Sequence, residues 1–278
     1  MRIYRVKSGV VIEQNEKLYH VPNTSWIEFM NDDNLPKKAE YAAAQSSPLP
    51  NDNILKNEIL PPIEQPQELW ACGVTYMRSR AGRQEEQKEK AGGDFYARAY
   101  DAERPEIFMK ATPRLVVGHG GKVNIRKDSS WDCPEPEITL VVTSSNKIIG
   151  YTIGNDMSSR SIEGENPLYL PQGKTYDNCA ALGPGVLVTD KPLPKSTVIT
   201  MVIKRAGKIV YEGNVGWDQM KRTPEELVAF VHRECSFPFG NLVMTGTGIV
   251  PSKDFTLNHG DEISITVEPI GTLVNTVN

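Results

Sequence analysis

The sequence contains few of the residues that build zinc clusters, disulfide frameworks or membrane spans. Its four cysteines, Cys72, Cys133, Cys179 and Cys235, stand singly with no C-x-x-C pair, which argues against a zinc cluster or a disulfide-stapled fold. With only four histidines, a metal site in this chain must be built largely from oxygen ligands. No apolar run approaches the roughly 18 residues that cross a bilayer.

The charge balance also excludes a class of partner. The formal net charge of the 278 residues is -4 and the pI is about 5.7, so there is no general positive field to attract a phosphate backbone. We therefore expect no nucleic-acid partner and no membrane association. The opening segment, residues 1–7, lacks the apolar stretch of a signal peptide, which favours a cytoplasmic protein.

Periodicity along the chain predicts a small N-terminal domain followed by a larger, strand-rich one. Residues 1–60 hold short alternating stretches, and the proline-containing segment 45–62 has the composition of a linker. Residues 66–278 form the second domain, with at most two helices after Pro105. The clearer helix begins with a capping box at Thr223 and a proline at its first position. Predicted strands cover 69–74, 107–110, 138–143, 147–153, 186–189, 198–205, 208–213, 242–245 and 262–268.

A charged stretch at residues 80–90 precedes Gly92 and Gly93. Its composition is typical of a solvated helix. The alternative is a mobile lid that hinges at the two glycines.

The most informative segment contains three carboxylates on two successive strands. A strand beginning near Pro134 places Glu135 and Glu137 on one face because side chains alternate with a period of two. The turn at 144–147 then predicts an antiparallel hairpin. In the register set by this turn, the residue numbers of each facing pair add up to 291, so Asp156 lies directly opposite Glu135. An odd-length loop would turn Asp156 to the other face.

Three such acids without cysteine or histidine form a hard oxygen site, which favours Mg²⁺, with Mn²⁺ or Ca²⁺ as alternatives. Like charges this close repel unless a cation lies among them. The alternative is a set of solvent-facing acids on an amphipathic hairpin. Pro134 and Pro136 disfavour that alternative, because prolines are rare in regular strands.

Several strings together resemble the fumarylacetoacetate hydrolase superfamily. They are P-E-P-E-I at 134–138, G-Y-T-I-G-N-D-M-S-S-R at 150–160 and G-K-T-Y-D at 173–177, followed by Gly183-Pro184 and T-G-T-G at 245–248. The resemblance covers about residue 66 to the end of the chain. It implies an α+β, β-rich fold, the mixed β-sandwich roll of that superfamily, and a homodimer or dimer-based tetramer.

The resemblance also implies roles for individual residues. Glu135, Glu137 and Asp156 would hold the metal, and Lys174 and Lys110 would be catalytic. Lys174 is the first candidate for the base, because a lysine beside a cation in a desolvated pocket releases its proton more readily; the alternative is a surface lysine. The residues implied to bind substrate are Tyr76, Arg78, Glu106, Tyr169, Gln172 and Thr247.

The strings at 100–113 and 165–172 resemble the 2-keto-3-deoxy-D-arabinonate dehydratase branch. This resemblance implies loss of water from a 2-keto-3-deoxy sugar acid through an enolate, which gives 2,5-dioxopentanoate, as in pentose degradation. A hydrolase that cleaves a C–C bond of an acylpyruvate or another β-diketo acid is the alternative enzyme. Ser79 and Gly82 stand where those hydrolases carry a His–Glu pair that activates water, which disfavours the hydrolase, although Glu85 could substitute. A non-catalytic domain with structural Ca²⁺ is the third hypothesis.

Overall fold

The computed structural model describes residues 1–78 and 99–278. The α-helices that lie wholly within these residues are α1 (Trp26–Met30), α2 (Leu35–Ala44), α3 (Asn53–Glu58), α4 (Arg160–Glu165), α5 (Leu170–Lys174) and α6 (Pro224–Val231). Short 3₁₀ helices cover Pro113–Leu115, Pro167–Tyr169 and Trp217–Gln219.

The strands, in chain order, are β1 (Arg2–Val6), β2 (Gly9–Gln14), β3 (Lys17–Pro22), β4 (Leu69–Gly73), β5 (Glu106–Ala111), β6 (Val116–Val117), β7 (Lys122–Val123), β8 (Asp132–Cys133), β9 (Pro136–Val142), β10 (Ile148–Asp156), β11 (Ser158–Ser159), β12 (Ala180–Val188), β13 (Val198–Arg205), β14 (Lys208–Gly216), β15 (Asn241–Met244), β16 (Glu262–Val267) and β17 (Gly271–Val277). The predicted β-rich α+β class is confirmed.

The largest sheet runs in the order β3-β2-β1-β12-β10-β9-β15-β4-β5, with β6 paired to β12. The β10–β9 pair at its centre is antiparallel, whereas β15 and β4 are parallel. The first strand of the chain joins this sheet through Ile3, which pairs with Val186 of β12. The strands of residues 1–60 are therefore continuous with the sheet of the larger predicted domain, and the division between the two domains stays a prediction.

A second sheet, in the order β14-β13-β16-β17-β7, covers one face of the large sheet. Buried apolar residues from both sheets fill the space between them, including Ile138 and Leu140 of β9 and Met201 of β13. The opposite face of the large sheet packs against α1 and α2, where Trp26 and Leu35 are buried. Burial of β9 and β10 on both faces explains why their sequences read as near-continuous apolar runs.

Two predictions about the elements are wrong. After Pro105 the described residues contain three α-helices instead of at most two, because α4 and α5 are short and carry charged residues that mask their buried faces. The predicted linker at 45–62 contains α3. The helix at Thr223 is confirmed, since the Thr223 side chain accepts a hydrogen bond from the Glu226 backbone N–H at 3.1 Å.

The charged stretch 80–90 and its glycines, Gly92 and Gly93, lie outside the described residues. None of the helices in residues 1–78 and 99–278 combines the length and apolar character needed to cross a bilayer.

Candidate metal and active site

The β9–β10 hairpin sets the positions of the three carboxylates. Directly after the loop, Ile148 lies opposite Val142, whereas the predicted register would place Ile149 there. An extra residue, Ile149, then forms a bulge, so that from Gly150 onward the pairs follow the predicted register. The Asp156 backbone N–H donates to the Glu135 carbonyl oxygen at 2.9 Å, which confirms that these two residues lie opposite each other.

Glu135, Glu137 and Asp156 converge at this end of the hairpin. One oxygen from each carboxylate lies within 4.8 Å of the others. The three residues are only 5%, 1% and 1% exposed, so the alternative of solvent-facing acids is wrong. A buried set of three oxygen donors matches the coordination chemistry of a hard divalent cation such as Mg²⁺.

Lys174, at the end of α5, points its ammonium group into the same cluster. The Lys174 Nζ donates to Glu135 Oε2 at 2.7 Å, to Asp156 Oδ2 at 2.9 Å and to the Ser158 hydroxyl at 2.5 Å. Its side chain is 2% exposed. The alternative of a surface lysine is therefore wrong, and the ammonium partly neutralises the buried acids.

Two further cations contact the outer oxygens of Glu135 and Asp156, which are the carboxylate oxygens that do not accept from Lys174. The Lys110 Nζ lies 2.7 Å from Asp156 Oδ1, and the Arg160 Nη2 lies 2.7 Å from Glu135 Oε1. Lys110 also donates to the carbonyl oxygens of Met157, at 2.9 Å, and Lys174. The buried ammonium thus contacts three protein oxygens, two by hydrogen bonds and one by an ion pair, and these contacts fix both Asp156 and the backbone that carries Lys174.

Glu137 is the carboxylate least neutralised by this network. Burial, followed by the charges of Asp156 and Glu135, raises its pKa well above the ordinary value. The Gly246 backbone N–H donates to Glu137 Oε2 at 2.6 Å. Gly246 has a φ of +90°, and a Cβ there would collide with the Thr75 hydroxyl. Only glycine suits this close approach of the backbone to the acid.

The carboxylates line a small cavity. Among the described residues, its lining consists of Cys72, Gly73, Val74, Glu106, Phe108, Glu135, Glu137, Asp156, Arg160, Lys174, Gly246 and Thr247. Thus Glu106 and Thr247, both predicted to bind substrate, lie beside the predicted metal ligands. Burial of the Cys72 thiol raises its pKa, so it contributes an apolar wall.

The other four residues predicted to bind substrate do not line this cavity. Tyr76 is buried in the core between the two sheets, and Arg78 is exposed. Tyr169 and Gln172 lie on the exposed side of the segment that leads into Lys174. Ser79, Gly82 and Glu85, on which the distinction from a hydrolase depended, lie outside the described residues.

Sequence reasoning missed two polar residues of the site. Ser158 lies two residues after Asp156, so the period of an extended chain could have placed both on one face. Glu163 is fully buried on α4, with its Oε1 3.8 Å from the Lys174 Nζ. Its spacing of three from Arg160 puts both on one side of a helix, but nothing in the sequence marks that side as buried.

Comparison with known proteins identifies the family of this chain. Residues 79–278 match the family model described as fumarylacetoacetate (FAA) hydrolase C-terminal. The chain belongs to the fumarylacetoacetate hydrolase family.

The curated relatives of this chain include two dehydratases. A probable 2-keto-3-deoxyxylonate dehydratase of Haloferax volcanii is 46% identical over 212 residues, which is 76% of this chain and 72% of the relative. The 2-dehydro-3-deoxy-D-arabinonate dehydratase of Saccharolobus solfataricus is 44% identical over 221 residues, 79% of this chain and 74% of the relative.

A solved structure of 2-keto-3-deoxy-D-arabinonate dehydratase, complexed with magnesium and 2,5-dioxopentanoate, is similar over the whole length. Its TM-score is 0.85 at 34% identity, with 100% of this chain and 99% of that chain covered. A fumarylacetoacetate hydrolase from Exiguobacterium antarcticum, 21% identical with a TM-score of 0.71 and covering 100% and 99% of the two chains, shares the fold.

Proposed function

We propose that this protein is a Mg²⁺-dependent dehydratase of a 2-keto-3-deoxy sugar acid such as 2-keto-3-deoxy-D-arabinonate, with 2,5-dioxopentanoate as product. The observation that carries the proposal is the cluster of Glu135, Glu137 and Asp156 with Lys174 at one cavity. It occurs in a chain 44–46% identical to dehydratases of such acids. A purely structural Ca²⁺ site would not need a buried lysine hydrogen-bonded to two of the ligands.

Glu135, Glu137 and Asp156 are the residues that would hold the metal. When bound there, Mg²⁺ supplies Lewis-acid polarisation of the keto and carboxylate oxygens of a 2-keto acid. Arg160 and Lys110 keep the ligand side chains in place through the outer oxygens of Glu135 and Asp156. Such support reduces the reorganisation that binding requires.

Lys174 is positioned to move the proton of C3. Loss of that proton and of the C4 hydroxyl releases one water, and tautomerisation then leaves C5 as an aldehyde. In its neutral amine form Lys174 takes the C3 proton, and the same proton leaves with the C4 hydroxyl as water, so that the amine is regenerated. Lys110, whose ammonium contacts the Asp156 carboxylate and the Lys174 backbone, contributes by positioning both residues.

Glu106 and Thr247 would bind the two ends of the substrate. The Thr247 hydroxyl, beside Gly246, suits a carboxylate, whereas the Glu106 carboxylate accepts hydrogen bonds from sugar hydroxyls. A negative wall at Glu106 also disfavours substrates with a second carboxylate. Tyr76, Arg78, Tyr169 and Gln172 remain predicted substrate-binding residues without a place in this cavity.

The test is turnover of 2-keto-3-deoxy-D-arabinonate by metal-stripped protein with and without added Mg²⁺, following 2,5-dioxopentanoate. We expect product only with Mg²⁺ and a loss of at least about 100-fold in Glu135→Gln. Glu165→Gln, an exposed acid at the end of α4, is the matched control and should retain full activity. Absence of turnover with Mg²⁺, together with cleavage of an acylpyruvate, would replace this proposal with the hydrolase.

The same proposal includes a cytoplasmic location, an N-terminal domain of residues 1–60 with a catalytic domain of residues 66–278, and a homodimer or dimer-based tetramer. Light scattering of the purified protein measures the assembly. A monomer would contradict that part.

A further inference from the structure

Glu163 is a buried acid next to the site that the mechanism above does not use. It is 0% exposed on α4, and its Oε1 lies 3.8 Å from the Lys174 Nζ. This distance allows an ion pair without a direct hydrogen bond. A buried carboxylate is costly unless a charge compensates it, and Lys174 is one cation placed to do so.

The hydrogen bonds of Lys174 indicate a role for Glu163. An ammonium group has three protons, and those of Lys174 are directed at Glu135, Asp156 and Ser158. Two of these acceptors are the proposed metal ligands. A divalent cation held by the same carboxylates repels an ammonium at hydrogen-bonding distance from them, so Lys174 needs another anion when the metal binds.

The packing of α4 against α5 keeps Glu163 within reach of Lys174. Gly173, the residue before Lys174, is buried, and a Cβ there would lie 2.7 Å from the Glu163 Cγ and 3.2 Å from the Ser159 carbonyl oxygen. The absence of a side chain at Gly173 thus lets the stem of Glu163 lie directly against the backbone that carries the lysine.

We propose that Glu163 is a positioning residue that receives the Lys174 ammonium when a divalent cation occupies Glu135, Glu137 and Asp156. The inference rests on the proposed function, because it requires the metal at these acids. In the metal-bound protein the lysine turns from the ligands toward Glu163, which keeps it inside the cavity. Without that anion, Lys174 competes with the metal for the ligands.

The test is a double-mutant cycle on Mg²⁺ affinity, measured by isothermal titration calorimetry on metal-stripped full-length protein. Glu163→Gln keeps the shape and removes the charge, and we expect it to weaken Mg²⁺ binding by about tenfold or more. In a Lys174→Met background, where no ammonium competes, the same substitution should change the affinity by less than about twofold. Glu163→Asp, which keeps the charge, should restore most of the affinity and serves if Glu163→Gln does not fold.

A second readout separates positioning from a general loss of structure. With saturating Mg²⁺ and the keto acid as substrate, Glu163→Gln should lower kcat while KM changes little, because Lys174 is misplaced and not absent. An equal loss of Mg²⁺ affinity in both backgrounds would mean that Glu163 acts on the metal directly, and it would overturn the inference alone. Unchanged affinity in Glu163→Gln would do the same. If wild-type protein bound no Mg²⁺, both the metal site and this inference would be overturned.

Discussion

Lys110 offers the sharpest test of how the site is held together. The ion pair between its Nζ and Asp156 Oδ1 is 2.7 Å long, and the two side chains are 0% and 2% exposed. Lys110→Met fills a similar volume but removes the charge. It leaves Asp156 without this cation and the carbonyl oxygens of Met157 and Lys174 without this donor. Removal of one partner from a buried pair costs about 3–5 kcal/mol of unfolding free energy.

The matched control is a pair of comparable length on the surface. The Arg114 Nη1 lies 3.0 Å from Asp177 Oδ1, with 70% and 79% of the side chains exposed. Arg114→Met should cost less than about 1 kcal/mol, because water screens the pair in the folded protein. Comparison of the two losses isolates the effect of burial.

The assay is urea unfolding of metal-stripped protein, followed by tryptophan fluorescence and circular dichroism at one protein concentration. We expect a large decrease in the unfolding midpoint for Lys110→Met, with little change in slope. If Lys110→Met lost no more stability than Arg114→Met, the buried network would not support the ligands, and the assignment of Lys110 as a positioning residue would be refuted.

Two further predictions concern the hairpin and the metal. Gly154→Ala should cost about 1–3 kcal/mol of unfolding free energy in the urea assay, because its Cβ would collide with the Thr139 hydroxyl and lie 2.6 Å from the Met244 Cε. The control is Gly164→Ala, where a Cβ would have no atom within 4 Å. Equal losses of stability in the two variants would contradict the steric argument. The raised pKa of Glu137 means that the unfolded chain gives up this proton at a lower pH, so stability without metal falls as pH rises between the two pKa values. Mg²⁺ binding should release a proton and tighten as pH rises, which calorimetry in buffers of different ionisation heat measures; binding without proton release would contradict it.

The hairpin shows how far local sequence patterns reach. The alternation of side chains along a strand and the register deduced from the turn correctly placed Asp156 opposite Glu135. The loop, however, begins one position out of that register, and the bulge at Ile149 corrects the offset. Gly150 after the bulge was a signal, because glycine inside a strand often marks one.

The rest of the site depends on contacts distant in sequence. Lys110 lies 46 positions before Asp156, a separation that no strand or helix periodicity covers. Glu163 lies on a helix whose polar sequence indicates an exposed surface, yet the residue is fully buried. Residue types alone could therefore identify the ligands, but not the network that orients them.

The pairing of β1 with β12 gives the first strand of the chain a role in the solubility of the whole molecule. Because β12 also pairs with β10, β1 to β3 cover what would otherwise be an unpaired sheet edge at the end of β12 away from Asp156. Open edges template aggregation between molecules. A shortened enzyme that starts after residue 60 would retain every proposed metal ligand and still expose this edge, so truncation at the apparent domain boundary is a poor route to a minimal catalyst.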